Sequence, residues 1–133
     1  MWATTNSGLY RFRRQGRVDH WTSADGFAPD WVTALAETAN AIWVGSQSEL
    51  LRLRIDPGTG EARIADRYDR SHGLPSGYVG DVRFWGGAVW AATFQGLARQ
   101  LPSGRWQAVE LHPSLHTLLL HCLAADSMGH LWV

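Results

Sequence analysis

Three histidines, His112, His116 and His121, stand four and five residues apart, and three imidazoles converging on one point are what a catalytic zinc site requires. Their setting argues against convergence. His112 and His116 flank Pro113 in a loop and His121 lies in the apolar segment that follows, so nothing aims the three rings together, and neither a metal nor a cofactor is expected. Two carboxylates, Glu37 and Asp126, each stand six places before a tryptophan, at a turn where a carboxylate accepts backbone N–H bonds rather than working in an acid–base pair. No glycine-rich phosphate loop leading into a helix, no serine elbow and no paired-cysteine ligand set occurs. The basic run Arg11, Arg13, Arg14 and Arg17 could attract a sulfated or carboxylated ligand, but a solvated outer strand with arginine stems lying on their neighbours explains it more simply. The single thiol, Cys122, sits among apolar residues and reads as buried and inert. What remains is recognition chemistry. Asn6, Asp30, Trp31, Gln47, Ser76, Tyr78, Phe94, Gln95 and His116 fall in loops, and aromatics mixed with amides and a carboxylate would stack on and hydrogen-bond a sugar or another polar, flat-faced ligand.

A repeat must position these residues. The phrase WATTNSGLYRF from Trp2 returns as WVGSQSELLRL from Trp43 and WAATFQGLARQ from Trp90, and Trp132-Val133 begins it again, with steps of 41, 47 and 42 residues. One four-stranded propeller blade occupies roughly 40 to 50 residues. Counting from each tryptophan, a hydroxyl stands three places on (Thr5, Ser46, Thr93), a leucine seven on (Leu9, Leu50, Leu97) and an arginine nine on (Arg11, Arg52, Arg99). Period-two alternation on either side of a break is a hairpin. An aromatic then closes each unit (Trp21, Tyr68, Trp106), a Gly/Pro-bearing loop follows (26–31, 73–78, 111–116), and a small, apolar strand starts at Val32, Val79 and Leu118. Turns at 39–40, 86–87 and 127–129 lead back to the tryptophan. The small residues Ala34, Gly80 and Ala124 suit an innermost strand crowded round a channel. The recurring Trp2, Trp43, Trp90 and Trp132 are expected to pack blade on blade, each burial being worth several kcal/mol at about 25 cal/mol per Å² before entropy.

The fold class expected is therefore all-β, a β-propeller of four-stranded antiparallel blades carrying about three blade repeats of a larger propeller. The chain reads as one partial domain over 1–133, with repeats at about 2–42, 43–89 and 90–131, a fourth starting at 132, and complete blades at 32–68 and 79–109. It opens and stops inside the same repeat strand, which reads as a piece of a longer propeller in preference to copies closing a ring. Lys+Arg equal Asp+Glu at 12 each, so net charge gives no reason to expect nucleic acid. The apolar run 118–120, like every other in the sequence, is far short of the ~20 residues of a membrane helix, and the start lacks a leader pattern.

The strings DSMGHLWV (126–133), GLYRF (8–12), HGLPSGYV (72–79) and VTALAE (32–37) resemble, in that cyclic order, the two-component regulator propeller repeat, whose pattern runs Asp-x-x-Gly-x-Leu-Trp-x-Gly-Thr-x-x-Gly-Leu, then Gly-Leu-Pro, then Val-x-x-Leu. The resemblance spans the whole chain. Glu49 departs from it where a hairpin glycine belongs, Ala28 where a leucine precedes proline, and the second repeat carries an extra segment, 57–61. The resemblance implies a ligand-sensing input module of a bacterial two-component signalling protein, a periplasmic location, an oligosaccharide or small polar ligand at the channel rim, and a homodimer in the full-length protein. It implies membrane attachment only through other segments, no nucleic-acid partner, and kinase activity only in other domains. The alternatives are a propeller lyase or glycosidase using residues such as His116 and Asp30, or an interaction scaffold using the outer strands.

Overall fold

Turn residues cut the chain into short strands, each hydrogen-bonded to its neighbour in sequence. A computed structural model of the chain describes residues 1–27, 31–113 and 119–133. Strands β1 (Trp2–Thr5), β2 (Gly8–Phe12) and β3 (Val18–Trp21) form a three-stranded sheet. Two four-stranded sheets follow, β4 (Val32–Thr38), β5 (Ala41–Ser46), β6 (Leu50–Ile55) and β7 (Ala62–Tyr68), then β8 (Val79–Trp85), β9 (Ala88–Thr93), β10 (Gly96–Gln100) and β11 (Trp106–Val109). A short pair, β12 (Ala124–Ala125) and β13 (Leu131–Trp132), ends the series. All pairing is antiparallel. These are propeller blades, and the two complete ones occupy the 32–68 and 79–109 stretches expected from the repeat.

The repeat residues act as follows. Leu9, Leu50 and Leu97 are buried in the middle of their blades. The recurring hydroxyl closes each hairpin: Thr5 Oγ1 donates to Gly8 C=O at 2.9 Å, Ser46 Oγ to Glu49 C=O at 2.9 Å and Thr93 Oγ1 to Gly96 C=O at 2.7 Å. Gly8 has φ 122°, and a Cβ there would sit 2.1 Å from the Trp21 carbonyl oxygen, so only glycine fits. Glu49 takes the corresponding hairpin place in the second blade without a positive φ, and its carboxylate instead reaches Arg67 at 2.6 Å. The recurring arginine stands in a cross-strand ladder, Trp2–Arg11–Asp19 and Trp43–Arg52–Asp66, with Trp90–Arg99–Gln107 in the third blade. Guanidinium over indole and against carboxylate uses both faces of the charge: Arg11 lies 5.1 Å from the Trp2 ring and 2.6 Å from Asp19.

Blades meet through their inner strands, β8 packing on β4 and β5, and β1 on β4. The tryptophans share this duty unequally. Trp43 is buried in the cluster joining the two complete blades, Trp2 and Trp90 are half-buried, and Trp132 is 62% exposed.

Five expectations are corrected. Trp106 does not occupy the place of Trp21 and Tyr68: Leu9 pairs with Trp21 and Leu50 with Tyr68, but Leu97 pairs with Val109, and Trp106 sits at the far end of its strand, edge-on to Trp43. The strand expected from Leu118 is only Ala124–Ala125 among the described residues, because the backbone before it bonds to the third blade: Leu120 N–H donates to Thr93 C=O, Leu123 N–H to Asp81 Oδ2, and Leu123 C=O accepts from Arg83 Nε. Cys122, carried by that segment, is exposed rather than buried. The basic run is no free outer edge, since Arg11 is buried and both it and Arg13 bond Asp19. Asp126 does accept the turn N–H groups of Met128 and His130, each at 2.9 Å, whereas Glu37 lies inside β4 and is exposed.

Candidate functional site

Antiparallel connectivity gathers two kinds of loop at one end of the blades, the hairpins between second and third strands and the segments entering the inner strands. Val32 pairs with Ser46 and Val79 with Thr93, so register alone sets Trp31 near Gln47 and Tyr78 near Phe94. The second corner is tightly made. Phe94 N–H donates to Tyr78 C=O at 3.2 Å, the two rings stack with centroids 3.6 Å apart at 17°, and His121 meets Phe94 edge-on at 5.1 Å. Ser76 Oγ accepts Tyr78 N–H at 3.1 Å, which fixes the approach to the corner, and Gln95, exposed beside it, donates its N–H to Thr93 Oγ1.

Of the residues singled out from sequence, Asn6, Trp31, Gln47, Ser76, Tyr78, Phe94 and Gln95 lie at this end; Asp30 and His116 lie outside the described residues. Ser76, Tyr78 and Phe94 come together, Trp31 is 55% exposed at the same place in the neighbouring blade, and Asn6 is exposed in the first hairpin. His121 was missed, because its segment read as a strand; the Pro113 loop was the one sign that its backbone could run elsewhere.

The two complete blades are clamped beside the corner. Thr33 Oγ1 donates to Val79 C=O at 2.5 Å, and Gly77 packs so close to the hairpin of the second blade that a Cβ would lie 2.5 Å from the Ser48 carbonyl oxygen. Gly77→Ala is expected to cost about 1–2 kcal/mol, as overpacking does, measured by urea unfolding; an unchanged midpoint would mean that the contact yields freely.

A second constellation has the residue types of hydrolytic catalysis without its geometry. Asp69, Ser71 and His72 lie within reach of one another, but both Ser71 Oγ (3.2 Å) and Asp69 Oδ1 (2.9 Å) address the same ring nitrogen, His72 Nδ1, whereas a relay needs the two on opposite nitrogens. The group is a helix-turn cap: Asp69 accepts Ser71 N–H, and Thr22 with Asp25 builds the same box in the first blade. The Ser71 and His72 hydrogen bonds hold the Asp69 carboxyl down at about 2, as suits a cap and not a general base. No group of three His, Cys, Asp or Glu residues placed to hold a metal occurs among the described residues.

A cleft of about 670 Å³ lies at the opposite end, between the turns at Asn40, Gly86 and Pro102. Its Arg52 stands 2.9 Å from Asp66, and its lining mixes turn residues with strand residues of the two neighbouring blades. The aromatic corner has the more specific chemistry.

No family model and no curated protein matches the chain. Solved structures do. The extracellular domain of BT3049 from B. thetaiotaomicron, assigned as a hybrid two component system, superposes with a TM-score of 0.76 at 14% identity over 98% of this chain. The extracellular domain of BT4673 from the same organism, similarly assigned, superposes at 0.70 with 18% identity over 96%. The chain spans 18% and 17% of the length of these neighbours. At such identities the likeness establishes the fold.

Proposed function

We propose that this chain is part of the ligand-sensing β-propeller of an extracytoplasmic two-component signalling protein, and that its ligand, an oligosaccharide or similar polar, flat-faced molecule, docks at the corner of Tyr78, Phe94 and His121. The observation that carries the reading is the stacked Tyr78–Phe94 pair with His121 edge-on, a prebuilt aromatic wall beside the hydrogen-bonding groups of Ser76 and Gln95. Trp31 offers a second stacking face in the adjacent blade. The structural neighbours, extracellular domains assigned to hybrid two component systems, support the signalling role and the location outside the cytoplasm. The chain contributes recognition and no catalysis; the full-length receptor is a homodimer whose membrane anchor and output lie in other segments, and the domain here is one partial propeller over 1–133.

Calorimetric titration with panels of neutral and acidic oligosaccharides tests this. One class should bind saturably, and replacing Tyr78 and Phe94 together by alanine should weaken it about tenfold or more, the scale of losing a central aromatic contact. Absence of saturable binding across both panels, or an affinity indifferent to the double replacement in a variant that still melts cooperatively, would sink the proposal.

A further inference from the structure

Two peculiarities of the sequence meet on the outer side of the first two blades. The basic run after β2 and the extra 57–61 segment of the second repeat border one cleft of about 340 Å³, lined by Arg13, Arg17, Asp19, Glu61 and Arg63. The inserted turn is held by Asp56, whose Oδ1 accepts the Gly58 and Thr59 N–H groups, and it brings Gly60 against the Arg13 guanidinium. Facing it, the turn after β2 is closed by Arg13 N–H donating to Arg17 C=O at 2.8 Å, with Gln15 held at φ 71°.

Charge in this cleft does not balance. Asp19 receives Arg11 at 2.6 Å, Arg13 at 2.5 Å and Arg17 at 3.7 Å, while Arg63 pairs with Glu61 at 3.0 Å. Three guanidinium groups line the cleft against two carboxylates, an excess of one positive charge, and Arg11 adds a further one from behind Asp19. Asp19 engages only the Nε edges of Arg13 and Arg17; their terminal nitrogens make no other hydrogen bond among the described residues, and the Arg17 and Arg63 side chains are 73% and 80% exposed. A guanidinium with a free fork matches the paired oxygens of an oxyanion.

We propose that this cleft binds a tetrahedral oxyanion, a sulfate or phosphate group, between Arg13 and Arg17 on one wall and Arg63 on the other. The group can be a free ion or an ester on a larger molecule. The site lies at the opposite end of the blades from the aromatic corner and is independent of it. Glu61 tempers the field in the empty cleft, and the arriving anion replaces it as the partner of Arg63.

The test follows the arginine Nε–Hε resonances of the 133-residue chain by NMR while sulfate, phosphate or a phosphate monoester is added at constant ionic strength, with chloride as reference. Saturable shifts at Arg13, Arg17 and Arg63 are expected, and affinity should fall about tenfold in the Arg17→Gln/Arg63→Gln variant, whose exposed positions leave the fold intact. Binding of the monoester as tightly as the free ion assigns the site to esterified ligands; preference for the free ion assigns it to inorganic anions. Shifts that rise linearly, that chloride reproduces, or that survive the double replacement would overturn the proposal.

Discussion

Trp43→Ala is expected to cost about 3–5 kcal/mol of folding free energy, the range for truncating a large buried aromatic. Trp43 is 3% exposed, lies edge-on to Trp106 of the next blade at 5.9 Å, stacks on Tyr68 at 5.8 Å and sits under the Arg52 guanidinium. Its loss opens a cavity at the junction of the two complete blades, where inner strands rather than a covalent turn hold the sheets together. The repeat supplies its own control. Trp132 has the same position in the motif but is exposed and bonded through Nε1 to Asp126 at 2.9 Å, so its replacement by alanine should stay within about 1 kcal/mol. Chemical denaturation of both variants decides the matter: equal losses would show that the motif position and not the blade junction sets the value of the indole.

Asp19→Asn should come next, at about 2–3 kcal/mol near neutral pH, because it removes the charge that three arginines share and leaves the buried Arg11 uncompensated. Partial burial pushes the Asp19 carboxyl upward, but the hydrogen bonds from Arg13 and Arg11 outweigh it and hold the group below the ordinary 3.8. A depressed folded-state value means that the carboxylate's contribution is fully present above the unfolded value and vanishes as pH falls through the folded one. The stability gap between the natural chain and the variant should therefore be constant from neutral pH to about 5 and close below 3.8. Asp69 and Asp126, both held at about 2, titrate later and in both proteins alike. A gap that persists undiminished to pH 2 would show that shape and not charge is what Asp19 provides.

What could be read in advance follows from where the information resides. Residues whose role is set inside one hairpin were legible: the hydroxyl that closes it, the leucine under it and the strand order all follow from spacing within a dozen residues, and they came back three times with small variations. Roles that depend on pairing beyond the hairpin were not. Trp106 looked equivalent to Trp21 and Tyr68 by type, yet strand register gives their place to Val109. Arg11 looked solvated because its partner, Asp19, lies on the next strand, directly opposite in register. His121 was hidden because an apolar run reads as a strand whether its backbone pairs within its own blade or with the previous one. At the candidate corner, the loop residues were legible individually; that Tyr78 and Phe94 would stack, while Trp31 stands apart in the adjacent blade, depended on which aromatic the neighbouring hairpin happened to carry.

The exposure of Cys122 gives the molecule a built-in reporter position. It is the chain's sole thiol and stands one residue from His121, whose ring meets Phe94. A maleimide dye placed there would label the chain at one stoichiometric position without any engineered cysteine. Its emission would register whatever approaches the aromatic wall, while an anion in the arginine cleft at the other end of the blades would leave it dark.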